Sequence, residues 1–338
     1  MNFLEIENFK DKSNTWRGVV AVFLILVAIG SVIYRTNSFS SEREMLNKVL
    51  QPLQNIKIGG GGGDVIVEPP RPVKPSLPEL TGTMKSAEDF TAHSIIVKDV
   101  KTGMVMYRKN EYDKWPIASI TKLMSALILL EKNPDWTTST VVVGADSLDT
   151  HVYAGDTYTL EDLWLAGLVG SSNKAILSLA NALDWPEEAF VERMNQKALE
   201  LGMTETYFTD PTGLDSTDVA SASDVAILIN EAMKQDKIKQ TLLTKEISLY
   251  SEERGKSHHI WNTDWLLLGW VPHTFVDFRG GKTGYITLSD YNFTMQVGDG
   301  NVHTVNVVIL GAKTHEGRFT EARDIAEWVF ANYKWPDT

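Results

Sequence analysis

Five consecutive glycines, Gly59 to Gly63, are followed by Pro69, Pro70, Pro72, Pro75 and Pro78. Such a stretch cannot be buried in a hydrophobic core. Glycine-rich chain stays flexible and proline-rich chain stays extended. The chain is therefore divided before any element is assigned, and a packed domain has to lie beyond it. Residues 35–86 read as a linker. About 50 residues reach ~165 Å when fully stretched, and as a coil the ends lie on the order of 40 Å apart. Ahead of the linker, Gly18 to Tyr34 is a run of 17 residues without charge. That is the short end of a membrane-spanning helix. Residues 18–34 are expected to be a single transmembrane anchor, with 1–17 as a cytoplasmic tail. Ala28 and Gly30, two small residues two apart, keep a cleaved signal peptide open as the other reading.

Residues 87–338 have the composition of a packed domain. Over the whole chain, 43% of residues are hydrophobic and 22% charged, which excludes a largely disordered protein and a multi-span membrane protein. Acidic residues outnumber Lys and Arg by 44 to 32, a net charge of −12. That is a poor footprint for nucleic acid, and no nucleic-acid partner is expected. The absence of cysteine excludes thiol catalysis and Cys-ligated metal.

Short apolar runs at 92–98 and 104–108 flank Lys101-Thr102-Gly103 and predict a β-hairpin. Residues 117–131 carry helical spacing through Ile120, Leu123, Met124, Leu127 and Ile128. Further helices are expected at 160–169, 174–183, 186–201, 223–234 and 321–333, and strands at 293–297 and 302–310. Strands, then many helices, then strands and a helix predict an α/β fold of the α+β type. Its antiparallel sheet would be made from both chain ends, flanked by helices, with a helical insertion between.

Three short segments carry chemistry. Ser119-Ile120-Thr121-Lys122 opens a helix, and i, i+3 spacing puts Ser119 and Lys122 on one face. A serine hydroxyl needs an adjacent base to become a nucleophile. A lysine serves if its surroundings lower its pKa. Alone the pattern is cheap, since Ser171-Ser172-Asn173-Lys174 repeats it. Its bland reading is a helix cap with a solvated lysine. Ser171 and Asn173 can face one side of a loop, where a hydroxyl relays a proton and an amide holds Lys122. Capping is the bland reading here too. In Gly280-Gly281-Lys282-Thr283-Gly284-Tyr285, glycines admit another backbone, and Lys282 and Thr283 suit an anionic substrate end. A backbone N–H after Gly284 can contribute to an oxyanion hole.

In this order, Ser-x-x-Lys, Ser-x-Asn and Lys-Thr-Gly form the set of the penicillin-recognising serine enzymes. Together with Pro116 to Met124, Leu201-Gly202-Met203-Thr204, Asp210-Pro211-Thr212-Gly213-Leu214 and Val308 to Ala312, they make the chain resemble the serine D-alanyl-D-alanine carboxypeptidases. These are the low-molecular-weight penicillin-binding proteins. The similarity covers roughly residues 87–333. It implies a β-lactamase/transpeptidase-like fold and acyl transfer on peptidoglycan stem peptides, with no cofactor and no metal. Ser119 would attack the carbonyl between two D-alanines, and Lys122 would take its proton. Asn173 would hold Lys122 and the substrate. Ser171, with Lys282, would protonate the departing amine. Thr283 would bind the terminal carboxylate, and Gly284 would line the site. The N–H groups of Ser119 and Tyr285 would hold the oxyanion. β-Lactams would trap the same serine. The domain is expected on the extracytoplasmic side of the cell membrane.

Three departures stand out, the first being that the N-terminal anchor is expected to replace the C-terminal amphipathic membrane helix that many members carry. Lys174 replaces the aspartate that often follows the second motif. The resemblance contains no extra β-rich C-terminal domain, and this short form is similar to the family's D,D-endopeptidases, which cut crosslinks. A class A β-lactamase reading fails for want of a Glu-x-x-Leu-Asn segment. A metallohydrolase reading fails because His258-His259 is adjacent and no H-E-x-x-H is present. Trp261, Trp265 and Trp270 read as core or pocket wall rather than a sugar platform. A catalytically silent wall-binding module is the remaining alternative from another class.

Overall fold

The computed structural model describes residues 76–336. The uncharged run 18–34 and most of the linker lie outside the described residues. Among the described residues, no helix is long and apolar enough to cross a membrane.

The centre of the domain is a five-stranded antiparallel sheet. Its strands are β1 (Ser94–Asp99), β2 (Val105–Lys109), β3 (Asp277–Ile286), β4 (Asp290–Gly298) and β5 (Thr304–Ala312). The spatial order is β3-β4-β5-β1-β2. The register pairs Val97 with Val307 and Ile96 with Val308, which joins the two ends of the domain's sequence as expected. The β1–β2 turn is made by Asp99, whose carboxylate accepts from Thr102 N–H at 2.7 Å. Gly103 follows at φ +72°.

Side chains alternate across the sheet, and both faces are covered. Ile95, Val97, Val305, Val307 and Ile309 pack against Phe319, Ile325 and Val329 of the last helix, α8 (Gly317–Asn332). Ile96, Val308 and Leu310 face a second core built from the insertion. Burial on both faces is why these strands read as unbroken apolar runs rather than alternating ones.

The insertion contains α1 (Thr121–Leu130), α2 (Leu160–Leu168), α3 (Asn173–Ala182), α4 (Glu187–Glu200), α5 (Ala222–Ala232), α6 (Asp236–Leu242) and the single turn α7 (Trp265–Leu268). Helix α1 is buried along almost its whole length, Lys122 included. A helix apolar nearly all round belongs at the middle of a domain. Helix α2 starts at a capping box, Thr159 with Asp162.

The structure departs from the sequence expectations in several places. Strand β3, helix α6 and the hairpin Glu246–Ser251/Lys256–Trp261 are elements beyond those the sequence pattern predicts. Glycine-rich β3 lacks the apolar alternation that reveals a strand, and the hairpin shows it only briefly, at Ile247 and Leu249 of one strand. Helix α8 begins at Gly317 rather than at 321. Glu79–Leu80, inside the stretch assigned to the linker, pairs with Tyr333–Lys334. Leu80 there packs against the core beneath α8. A strand of two residues among prolines leaves no periodic signal.

Candidate active site

Ser119 lies on the 3-10 turn Ala118–Ile120 that feeds α1. The turn is held in an unusual conformation, with Ala118 at φ +49°. Two glycine backbones press on it. A Cβ on Gly284 of β3 would stand 2.4 Å from the Ile117 carbonyl oxygen. A Cβ on Gly213 would stand 1.9 Å from the Ala118 carbonyl oxygen, and Gly213 itself has φ +77°. No side chain caps this helix start, so the capping reading of Ser119 fails. Its hydroxyl oxygen accepts instead from Lys122 Nζ at 2.8 Å.

Lys122 is fully buried. Its other two donors go to Asn173 Oδ1 at 2.7 Å and to the Thr212 carbonyl at 2.8 Å. All three ammonium protons therefore have acceptors. Burial lowers its pKa to about 7, against the opposing pull of Asp210, Asp149 and Asp218. An amine near neutrality beside a hydroxyl is the arrangement a serine nucleophile needs.

The second motif turns at Ser171, a non-glycine residue at φ +62°. Ser172 is the cap of α3, accepting from Ala175 N–H at 3.1 Å. The middle residue thus satisfies the helix end, and its two neighbours are left for the site. Asn173 points to Lys122. Ser171 Oγ accepts from Lys282 Nζ at 2.9 Å. Lys282 also donates to its neighbour's carbonyl, Thr283 O, at 3.0 Å. It too is buried, and its pKa falls well below the ordinary lysine value, first from burial and then from Lys122 and Arg318.

Thr283 and Gly284 follow on β3, the edge strand of the sheet. Thr283 Oγ1 donates to Thr263 Oγ1 at 2.7 Å. Tyr285 is half exposed, and its ring stacks on Tyr291 with centroids 4.5 Å apart. A cleft of about 450 Å³ opens among Ser119, Ser171, Thr263, Thr283, Gly284 and Tyr285. The three sequence segments thus converge on one cavity.

Three further parts of the site come from outside the three motifs. Thr212 contributes only a carbonyl. Thr263 and Trp265 reach the cleft from the segment around α7. Arg318 comes from α8, donating to the Gly284 carbonyl at 3.3 Å and lying 2.9 Å from His315 Nε2. Burial lowers its pKa to about 10. Fully buried Asp264 caps α7, accepting from Leu266 N–H at 2.9 Å, and burial raises its pKa to about 7. A solitary arginine or aspartate without a motif is invisible until the fold delivers it. The tryptophans divide. Trp265 is cleft wall, as expected, but Trp261 and Trp270 are 49% and 54% exposed and belong to neither core nor wall.

The family model for D-alanyl-D-alanine carboxypeptidases (Peptidase_S11) matches residues 81–314. The D-alanyl-D-alanine carboxypeptidase DacF of Bacillus subtilis is 29% identical over 252 residues, covering 72% of this chain and 63% of that protein. This chain therefore spans less than two thirds of that relative. A D-alanyl-D-alanine endopeptidase of Pseudomonas aeruginosa is also 29% identical, over 72% of this chain and 78% of that protein. Among solved structures, penicillin-binding protein D2 of Listeria monocytogenes in its cefotaxime-bound form superposes with a TM-score of 0.62 at 26% identity, covering 71% of this chain and 98% of that one. The fold is thus that of the penicillin-binding D,D-peptidases, and the chain belongs to the D-alanyl-D-alanine carboxypeptidase family, the low-molecular-weight penicillin-binding proteins.

Proposed function

We propose that the chain is a serine D,D-carboxypeptidase that removes the terminal D-alanine from peptidoglycan stem peptides through an acyl-enzyme. The observation that carries this is the 2.8 Å contact of buried Lys122 Nζ with the Oγ of Ser119, which lines a cleft. Deprotonated Lys122 takes the Ser119 proton as the hydroxyl oxygen attacks the carbonyl carbon. The N–H groups of Ser119 and Tyr285 stabilise the oxyanion. The C–N bond then breaks as Ser171, paired with Lys282, hands a proton to the departing amine and recovers the one that Lys122 took from Ser119, which leaves Lys122 neutral again. Asn173 fixes Lys122 and the substrate amide. Thr283 binds the terminal carboxylate, beside the charge of Lys282. Water attacks the ester and frees Ser119.

The P. aeruginosa relative, whose length this chain covers more fully than that of the B. subtilis carboxypeptidase, favours a second reading. In it the same chemistry cuts D-alanyl crosslinks between two stem peptides. Digestion of defined muropeptides with mass analysis decides between the two. Loss of one alanine from a pentapeptide identifies the carboxypeptidase, and a split dimer identifies the endopeptidase. Intact substrates, with no fluorescent penicillin bound, would leave only a silent wall-binding module. Residues 18–34 as a membrane anchor, and a linker that ends before the paired Glu79–Leu80, suit this function, because they would hold the domain off the outer face of the cytoplasmic membrane.

The base role of Lys122 has a pH signature. Only the neutral amine can accept the serine proton, and its pKa lies at about 7. The second-order rate of acylation by penicillin is expected to climb about tenfold per pH unit below that value and to level off above it. Stopped-time labelling across a pH series measures this. A rate flat through neutrality would remove Lys122 as the base.

A further inference from the structure

The segment 144–156 lies between β-structure at Ser139–Val141 and at Thr157–Thr159. It grips the second motif at three points. The Leu148 carbonyl accepts from Asn173 Nδ2 at 3.3 Å. Asp146 Oδ1 accepts from Lys174 Nζ at 2.7 Å. The third point is Asp149, whose side chain is only 9% exposed. One oxygen accepts from His151 N–H at 3.1 Å. The other accepts from Lys174 N–H at 3.0 Å. Ser172 Oγ lies 3.1 Å from both. The carboxylate thus binds the two residues that flank Asn173, in a turn whose first member, Ser171, holds a left-handed conformation.

We propose that Asp149 is a positioning residue for the second motif, a carboxylate delivered from a separate loop that sets Ser171 toward Lys282 and Asn173 toward Lys122. This rests on the peptidase reading above. Lys174, which stands directly after Asn173, leaves the motif without a carboxylate of its own. Asp149 supplies one from the loop, and Asp146 neutralises the buried Lys174. An asparagine at 149 could not replace it, because in either orientation its amide nitrogen would face a backbone N–H donor, that of Lys174 or that of His151.

Asp149 also faces the Lys122 amine electrostatically. Asp210 and Asp218, from the loop after α4, favour its charged form as Asp149 does. Lys282, from β3, is the opposing charge. The carboxylates of the Asp149→Asn protein would be fewer by one, so Lys122 would lose its proton at lower pH. Acylation by fluorescent penicillin is expected to slow about 10- to 100-fold, while the acid limb of its pH profile moves to lower pH. A rate equal to the parent's overturns the assignment. So does a slower rate with an unmoved limb, which would leave Asp149 a role in loop packing alone. If Asp149→Asn fails to fold, Ser172→Ala removes one donor of the same set, and a several-fold slower acylation is expected. Labelling of that variant at the parent's rate would overturn the proposal. A parent protein that never reacts with penicillin would instead sink the peptidase reading.

Discussion

Ser119→Ala is expected to abolish labelling by fluorescent penicillin and to lower peptide turnover by at least about 10⁴-fold, with little change in stability. The stability expectation follows from the contacts. Ser119 does not cap α1, and its hydroxyl is held only by Lys122. Lys122→Met should fall nearly as far. Combining the two should cost little more than either alone, because a nucleophile and its base act as a unit. The measurement is the acylation rate of the three variants beside thermal unfolding. Full additivity would mean that Lys122 serves something other than Ser119. Undiminished labelling of Ser119→Ala would move the nucleophile elsewhere.

Gly213→Ala is the second large effect, and here stability and activity should be lost together. The residue is far from the motif serine in sequence and carries no functional group. Yet a methyl group there would meet the Ala118 carbonyl at 1.9 Å and Thr121 Oγ1 at 2.8 Å, on a backbone at φ +77°. Backbone cannot yield as a flexible side chain does. The left-handed conformation alone costs on the order of 1 kcal/mol or more, and the overlap adds to it. A loss of about 3 kcal/mol or more is expected. The loop concerned also holds Lys122 through Thr212 and is ordered by the Asp210 carboxylate, which accepts from Gly213 N–H at 2.9 Å. Acylation should therefore fall as well, even in the fraction that stays folded. Urea unfolding and penicillin labelling test the two parts. Parent-like values in both would show that Gly213 does not press on the turn that carries Ser119.

Several site features illustrate why a motif is legible and its setting is not. The hydroxyl, amine and amide of Ser119, Lys122 and Asn173 are marked by local spacing, since one turn of helix or two residues of loop suffices to aim them. The same spacing marked Lys174, which the structure pairs with Asp146 outside the cleft. Ser172, lying between two site residues, turned out to be the helix cap. Capping and catalysis draw on the same residue types, and only the three-dimensional path of the loop assigns them. The exposed Trp261 and Trp270 show the converse, since hydrophobic size alone does not place a residue inside.

Read alone, the amino-acid order determined the antiparallel sheet drawn from both chain ends, the helical insertion, and the residue types at three separated motifs. Those properties depend on near neighbours, through apolar periodicity and short-range spacing. Tertiary structure alone decided that Lys122 is dry enough to lose its proton near neutrality, and that Arg318 and Thr263 border the cleft. It also decided that the backbones of Gly213 and Gly284 press on the turn that carries Ser119. Burial, electrostatic fields and close backbone approach are set by segments distant in the chain, so no local pattern records them.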